Sequence, residues 1–229
     1  MKKLGIIGGF GPSTTAEFFL SLISAWNKTH KIHRPEIIIW NAPVNKTAER
    51  KLITQGLSSK QFLPLLKTGI LTLEKAGANI LVLPCNSLHI FIKDISLSTK
   101  LPMLNILEET TEFLKENKIN KIVLLGSEAT VKMGLFNKIF RENEIELSFP
   151  NRADQLKLNK IIHNLVSSKN TKKDTNSFNN IIIKFRKLSL TNVLLACTDL
   201  QLLKPNIEGV RFIDTLEILK NAALEKMGE

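Results

Sequence analysis

The sequence predicts an α/β protein of two pseudo-symmetric lobes, each a mostly parallel sheet flanked by helices. Three observations carry that expectation. Short runs rich in Ile, Leu and Val, at 3–8, 36–41, 79–84, 121–126 and 192–196, alternate with helix-length segments almost from end to end. The opening of the chain is echoed at its middle. Residues 3–15 read as strand, glycine turn and hydroxyl-rich helix start, and 121–130 repeat this through Gly126, Ser127 and Thr130. Finally, the only two cysteines, Cys85 and Cys197, hold matching places about half the chain apart, each after an apolar run and before a small hydrogen-bonding residue.

Each element follows from local pattern. The five apolar runs are continuous rather than alternating, the signature of parallel strands covered on both faces. Segments 14–26, 60–76, 106–117 and 130–142 carry apolar residues at three- and four-residue spacing, the period of an amphipathic helix. Lys75-Ala76-Gly77-Ala78-Asn79 reads as a helix stop and strand start, with Gly77 free to turn left-handed. Ser98-Thr99-Lys100-Leu101-Pro102 breaks the helical period and marks a boundary. The division expected is 1–100 plus 214–229 for the first lobe and 101–213 for the second. The last helix, near 214–227, is expected to return to the first lobe. Segment 167–180, dominated by Ser, Asn, Lys and Thr, is expected to be a mobile surface loop away from the chemistry.

Composition narrows the function classes. A 229-residue chain that is 43% hydrophobic can bury a full core. No apolar stretch approaches the roughly 20 residues of a membrane helix. The N-terminus faintly resembles a signal peptide, but Pro12 and Glu17 interrupt it, so a cytoplasmic location with reduced cysteines is expected. The net charge of +11 raises nucleic acid as a partner. Yet the lysines are scattered, far outnumber the arginines, and tyrosine is absent. That describes a solvated basic surface, one that also draws in a small anionic substrate. Neither nucleic acid nor membrane is expected as a partner.

Three segments hold the chemistry. Gly8-Gly9-Phe10-Gly11-Pro12-Ser13-Thr14-Thr15 places glycines between a strand and a helix, where amides approach a ligand and the helix start favours an anion. The glycine spacing does not fit a dinucleotide fingerprint, and Trp40-Asn41 stands where an acidic residue would end the second strand. A substrate carboxylate is therefore expected at this turn. In Pro84-Cys85-Asn86-Ser87-Leu88-His89, a cysteine at the end of a parallel strand points into the ligand crevice and gains thiolate character from the helix start. The plainer alternative is a buried cysteine, with Asn86 and Ser87 capping a helix and His89 a packing residue. Cys197-Thr198-Asp199 repeats the arrangement, with Asp199 as a cap or, less simply, a general base. Neither thiol has a partner at zinc spacing, so no metal is expected. No nucleophile elbow supports a serine triad. With no CxxC, a Cys85–Cys197 redox disulfide is remote.

Those segments, with Leu4-Gly5-Ile6-Ile7-Gly8-Gly9-Phe10-Gly11-Pro12 at the start, resemble the signature segments of the aspartate/glutamate racemase family, in order and over nearly the full length. The resemblance implies an active site in the cleft between two lobes, commonly a homodimer, and racemisation of a small amino acid without pyridoxal phosphate or any other cofactor. It implies Cys85 and Cys197 as the acid/base pair on opposite faces of the substrate α-carbon. Asn86, Ser87 and Thr198 match positions that bind the amino acid's carboxylate or amine. Ser127 and Thr130 match hydroxyl positions of the second lobe, and Phe10 stands, beside Gly9, where the family usually has Met. Ser87, Ala196 and Asp199 are mild departures. In Asn41-Ala42-Pro43-Val44-Asn45-Lys46-Thr47, relatives specific for aspartate often carry an arginine that grips the side-chain carboxylate. Here Asn41 and Lys46, or Arg50, are left to take that part, and a lysine is a poorer bidentate partner. Aspartate or glutamate is the expected substrate. A one-cysteine decarboxylase or isomerase, or a non-catalytic binding protein of the same fold, remains as an alternative.

Overall fold

The computed structural model describes residues 2–30, 32–57 and 61–228. The first half runs β1 (Leu4–Gly8), α1 (Pro12–Thr29), β2 (Ile37–Asn41), α2 (Lys46–Gln55), α3 (Phe62–Lys75), β3 (Ile80–Val82), a 3-10 turn (Ser87–Phe91), α4 (Ile92–Ser96) and β4 (Met103–Leu104). The second continues with α5 (Ile106–Glu116), β5 (Lys121–Leu125), α6 (Glu128–Lys132), α7 (Asn137–Glu142), β6 (Glu146–Ser148), α8 (Arg152–Val166) and α9 (Lys172–Lys187). It closes with β7 (Asn192–Leu195), a 3-10 turn (Leu200–Leu203), β8 (Arg211–Asp214) and α10 (Thr215–Gly228). No helix among the described residues is long and apolar enough to cross a membrane.

Two parallel four-stranded sheets result, ordered β2-β1-β3-β4 and β6-β5-β7-β8. The second order repeats the first, so β3 and β7 hold equivalent inner positions. Side-chain alternation along these strands feeds separate cores, because successive residues point to opposite faces. Leu4, Ile6, Ile80 and Val82 join Ile122, Leu124 and Leu194 in one continuous core beneath α1, α5 and α10. Their neighbours Ile7, Leu81 and Leu83 face α2 and α3, while Val123, Leu125, Val193 and Leu195 face α8 and α9. The lobes therefore share one core and carry one more each. The last helix, α10, packs against α5 and also against α1, β3 and β4.

Three strands escaped the sequence reading. β4 spans only two residues, and β6 and β8 carry Glu146, Ser148, Arg211 and Asp214, so none of the three shows a continuous apolar run. Because β4 pairs with β3, the first sheet takes in residues 103–104, past the boundary expected at residue 100. The helix expected over 130–142 is two helices, α6 and α7, split where Gly134 turns left-handed at φ +58°. The first residue of the helix expected over 60–76, Lys60, lies outside the described residues. The expected loop over 167–180 is also corrected, since most of it is the start of α9. Thr171 and Asp174 form a reciprocal capping box there, and Phe178, Ile181 and Ile182 bury one face. The many polar residues of the segment form the broad solvated face of that helix.

Candidate active site

The chain leaves β3 through Leu83-Pro84-Cys85 and leaves β7 through Ala196-Cys197, so both cysteines sit at the carboxyl ends of equivalent inner strands. Both are free thiols, Cys85 half-buried and Cys197 buried. They line one narrow cleft, with a cavity volume of about 30 Å³. Its walls come from both lobes: Phe10 after β1, Glu49, Leu52 and Ile53 on α2, Phe62 on α3, Ser127 before α6, and Ile162 and Val166 on α8. An outer cavity, sharing Glu49 and Val166 with the cleft, adds Gly9, Asn41, Lys46, His163 and residues 167–169.

Hydrogen bonds between the segment after β3 and those after β7 and β8 hold the two cysteine loops in place. The Thr198 hydroxyl donates to the Pro84 carbonyl at 3.2 Å. In the mirrored position, Asn86 Nδ2 donates to Thr215 Oγ1 at 2.9 Å. That hydroxyl spends its own proton on the Leu195 carbonyl, which fixes the Asn86 orientation, since only the amide nitrogen can face it. Asn86 Oδ1 is then a buried acceptor with no partner among the described residues, set in the cleft wall. Ser87, Ser127 and Thr130 form a closed triangle of hydroxyls, with separations of 2.8, 3.1 and 3.2 Å.

The electrostatics is set by burial. Burial pushes the Cys85 thiol up to about 12, against the opposing pull of the Leu88 and Ser87 amides at the 3-10 turn. Cys197 is raised well above the ordinary thiol value by burial first and the Asp199 charge second. Asp199 accepts the Thr14 hydroxyl at 2.6 Å and the Cys197 thiol at 3.8 Å. Burial nevertheless lifts its carboxyl to about 6. Glu49 is raised to about 7, by burial and then by Asp199, while the Gly11 amide donates to it. With Cys197 raised well above the ordinary thiol value and Asp199 near 6, the shared proton rests on the sulfur, hydrogen-bonded to the carboxylate.

The expected site residues separate into three groups. Cys85, Cys197, Phe10, Asn86, Ser87, Ser127 and Thr198 meet in the cleft. Gly9, Asn41 and Lys46 open on the outer cavity instead. Thr130 supports the cleft from behind, through the hydroxyl triangle, and does not line it. Arg50 is exposed and lines neither cavity. At the glycine turn one amide is already committed, since Gly9 N–H donates to Thr15 Oγ1 at 3.1 Å. Gly9 is needed for packing, with φ +92° and an added Cβ only 2.4 Å from the Ala42 nitrogen. Asp199 caps no helix; its oxygens serve Thr14 and Cys197. His89 is the plain packing residue. Its Nδ1 meets the Cys85 carbonyl at 2.8 Å, and its Nε2 accepts from the Ile106 amide, which keeps the ring neutral.

Two contributions were missed. Glu49 has a sequence signal, because it stands on the same helical face as Leu52 and Ile53, one turn ahead. Val166 and residues 167–169 line the cavities although their segment read as remote, and Ser168 reaches to within 3.5 Å of Ser13 on α1. Nothing local in the sequence brings those two together. Among the described residues, no group of three or more His, Cys, Asp or Glu is arranged to hold a metal ion.

Comparison with known proteins agrees with this architecture. A broad-specificity amino-acid racemase of Bacillus subtilis, RacX, is 25% identical over 96% of this chain and 96% of its own. The structure of an aspartate racemase homologue from Pyrococcus horikoshii superposes with a TM-score of 0.79 at 27% identity, covering both chains completely. Picrophilus torridus aspartate racemase gives 0.83 at 25% identity, over 100% of this chain and 95% of its own. Residues 7–223 match the family described as Asp/Glu/Hydantoin racemase. With two matched parallel sheets, a shared cleft and a match of this length, the chain belongs to the Asp/Glu/Hydantoin racemase family and is an isomerase of that family.

Proposed function

We propose that this chain interconverts the enantiomers of an amino acid by two-base proton transfer between Cys85 and Cys197, with no cofactor. The observation that carries the reading is the pair of free thiols opening on one cleft from equivalent ends of β3 and β7. Asp199 takes the proton of the Cys197 thiol and leaves a thiolate. The thiolate removes the α-hydrogen from one face, and the Cys85 thiol delivers its proton to the other. In the reverse direction the two sulfurs exchange roles. Each proton given is matched by one taken, so only their distribution changes.

The polar wall suits a zwitterion. Asn86 Oδ1 has lone pairs for the ammonium, and Thr198, its proton already committed to Pro84, can only accept there as well. A substrate carboxylate, whose charge grows as the α-carbon loses its proton, would draw a hydroxyl proton of Ser87 or Ser127 out of the triangle toward itself. An ammonium between the strand ends also favours the thiolate and offsets the burial that holds both thiols protonated. The test is α-proton exchange in D₂O across L- and D-amino acids, followed by NMR. Cys85→Ser and Cys197→Ser are each expected to lower racemisation by about 10²–10⁴-fold, the usual contribution of a positioned acid or base. Normal turnover by either variant would exclude the two-thiol scheme.

A further inference from the structure

We propose that Glu49 selects the substrate side chain, and that the chain acts on amino acids with a cation on an aliphatic stem, such as lysine or ornithine, in preference to aspartate and glutamate. This rests on the racemase reading above.

Glu49 projects from α2 to the junction of the cleft and the outer cavity, on the face that also supplies Leu52 and Ile53. Its carboxylate receives the Gly11 amide and forms no ion pair within 4 Å among the described residues. A carboxylate has about four acceptor positions, so most of this one's capacity stays open. The inner cleft is lined by two carboxylates, Glu49 and Asp199, and by no Lys, Arg or His. Asp199 is already engaged by Thr14 and Cys197. Glu49 is therefore the acid that faces a ligand. Burial and the Asp199 charge hold its carboxyl at about 7, and the charge of Lys46 offsets only part of that rise.

The neighbouring wall is apolar: Phe10, Leu52, Phe62, Ile162 and Val166 offer a surface for methylenes rather than for a second carboxylate. During turnover the cleft also holds a thiolate. An acidic side chain adds like charge to that set, whereas a terminal ammonium or guanidinium cancels part of it. Lys46 and Lys169, the cations that an acidic side chain needs, are exposed on the outer cavity, where water screens them. Lys46 also has Glu49 nearby to draw its charge.

The test compares kcat/KM for racemisation of L-lysine, L-ornithine, L-norleucine, L-aspartate and L-glutamate, read by α-proton exchange. The wild type is expected to favour lysine or ornithine over both acidic amino acids by about 100-fold. Glu49→Gln should lower the lysine-to-norleucine ratio of kcat/KM by at least about tenfold, and Glu49→Arg should move preference toward the acidic pair. Faster turnover of aspartate or glutamate by the wild type, or a ratio that Glu49→Gln leaves unmoved, overturns the assignment while leaving the racemase reading intact. Exchange with none of these five nor any other amino acid overturns both.

Discussion

Replacing Glu49 by Gln should make the protein more stable, by a gain that is absent below about pH 4.5, grows between pH 4.5 and 7, and is full above pH 7. The folded protein holds this carboxyl at about 7, against 4.5 for the free group. The sign follows from linkage. Below pH 4.5 the group is protonated in both folded and unfolded chains, so no penalty exists. Above pH 7 it is ionised in both, and the folded state bears the penalty of a poorly solvated charge beside Asp199. A shift of this size is equivalent to roughly 3 kcal/mol at 1.36 kcal/mol per pKa unit. Glu49 is only partly buried, and solvent screening reduces this to about 1–2 kcal/mol. For a chain of this length each kcal/mol moves Tm by about 2–4 °C, so the variant should melt roughly 5 °C higher at pH 8.5. Gln keeps an acceptor for the Gly11 amide, so the comparison isolates the charge. The assay is thermal unfolding by circular dichroism at pH 4, 6, 7 and 8.5. A gain equal at every pH, or none at pH 8.5, would show that the Glu49 carboxylate is well solvated. The reasoning about an unpaired cleft acid would then fail. Stability surrendered at a ligand-facing acid is the ordinary signature of a functional position.

Other expectations follow from the same site. On the proposed mechanism Asp199 is a base whose carboxyl sits near 6, so kcat/KM should fall as pH drops through 6. Asp199→Asn should lower the rate and abolish that acid limb, and a limb unchanged in the variant would remove Asp199 from the proton path. His89 is buried neutral, held near 4 by desolvation against an ordinary 6.5. The unfolded chain binds a proton at that ring first as pH falls, so wild-type stability relative to His89→Gln should decline by about 3 kcal/mol between pH 6.5 and 4. A difference in urea unfolding free energy that stays flat over that window would show that the ring is accessible.

Much of the architecture was legible because both faces of each inner strand are buried. Runs such as Leu4-Gly5-Ile6-Ile7 and Val193-Leu194-Leu195 must then be apolar throughout, and the intervening amphipathic helices leave no other arrangement than parallel crossovers. The cysteines were legible for a related reason: the residue following such a strand stands at the sheet's carboxyl edge, and that edge is where these folds bind ligands. What eluded the pattern was short or one-sided. β4 and β8 are held by pairing with β3 and β7 rather than by their own composition. The α9 segment hides three buried apolar residues among polar ones, so its composition reads as a loop.

The chemistry of the cleft divides in the same way. Strand-end position, residue type and internal repetition, all linear properties, were enough to single out Cys85, Cys197, Asn86 and Thr198. The neighbours of those side chains were not linear properties. Thr14 reaches Asp199 from the far end of the chain, α2 carries Glu49 to the cleft, and the hydroxyl of Thr215 turns Asn86 so that its oxygen is left open. Burial and hydrogen-bond competition act through space, and they assign a proton, a lone pair or a charge only once distant segments have packed together.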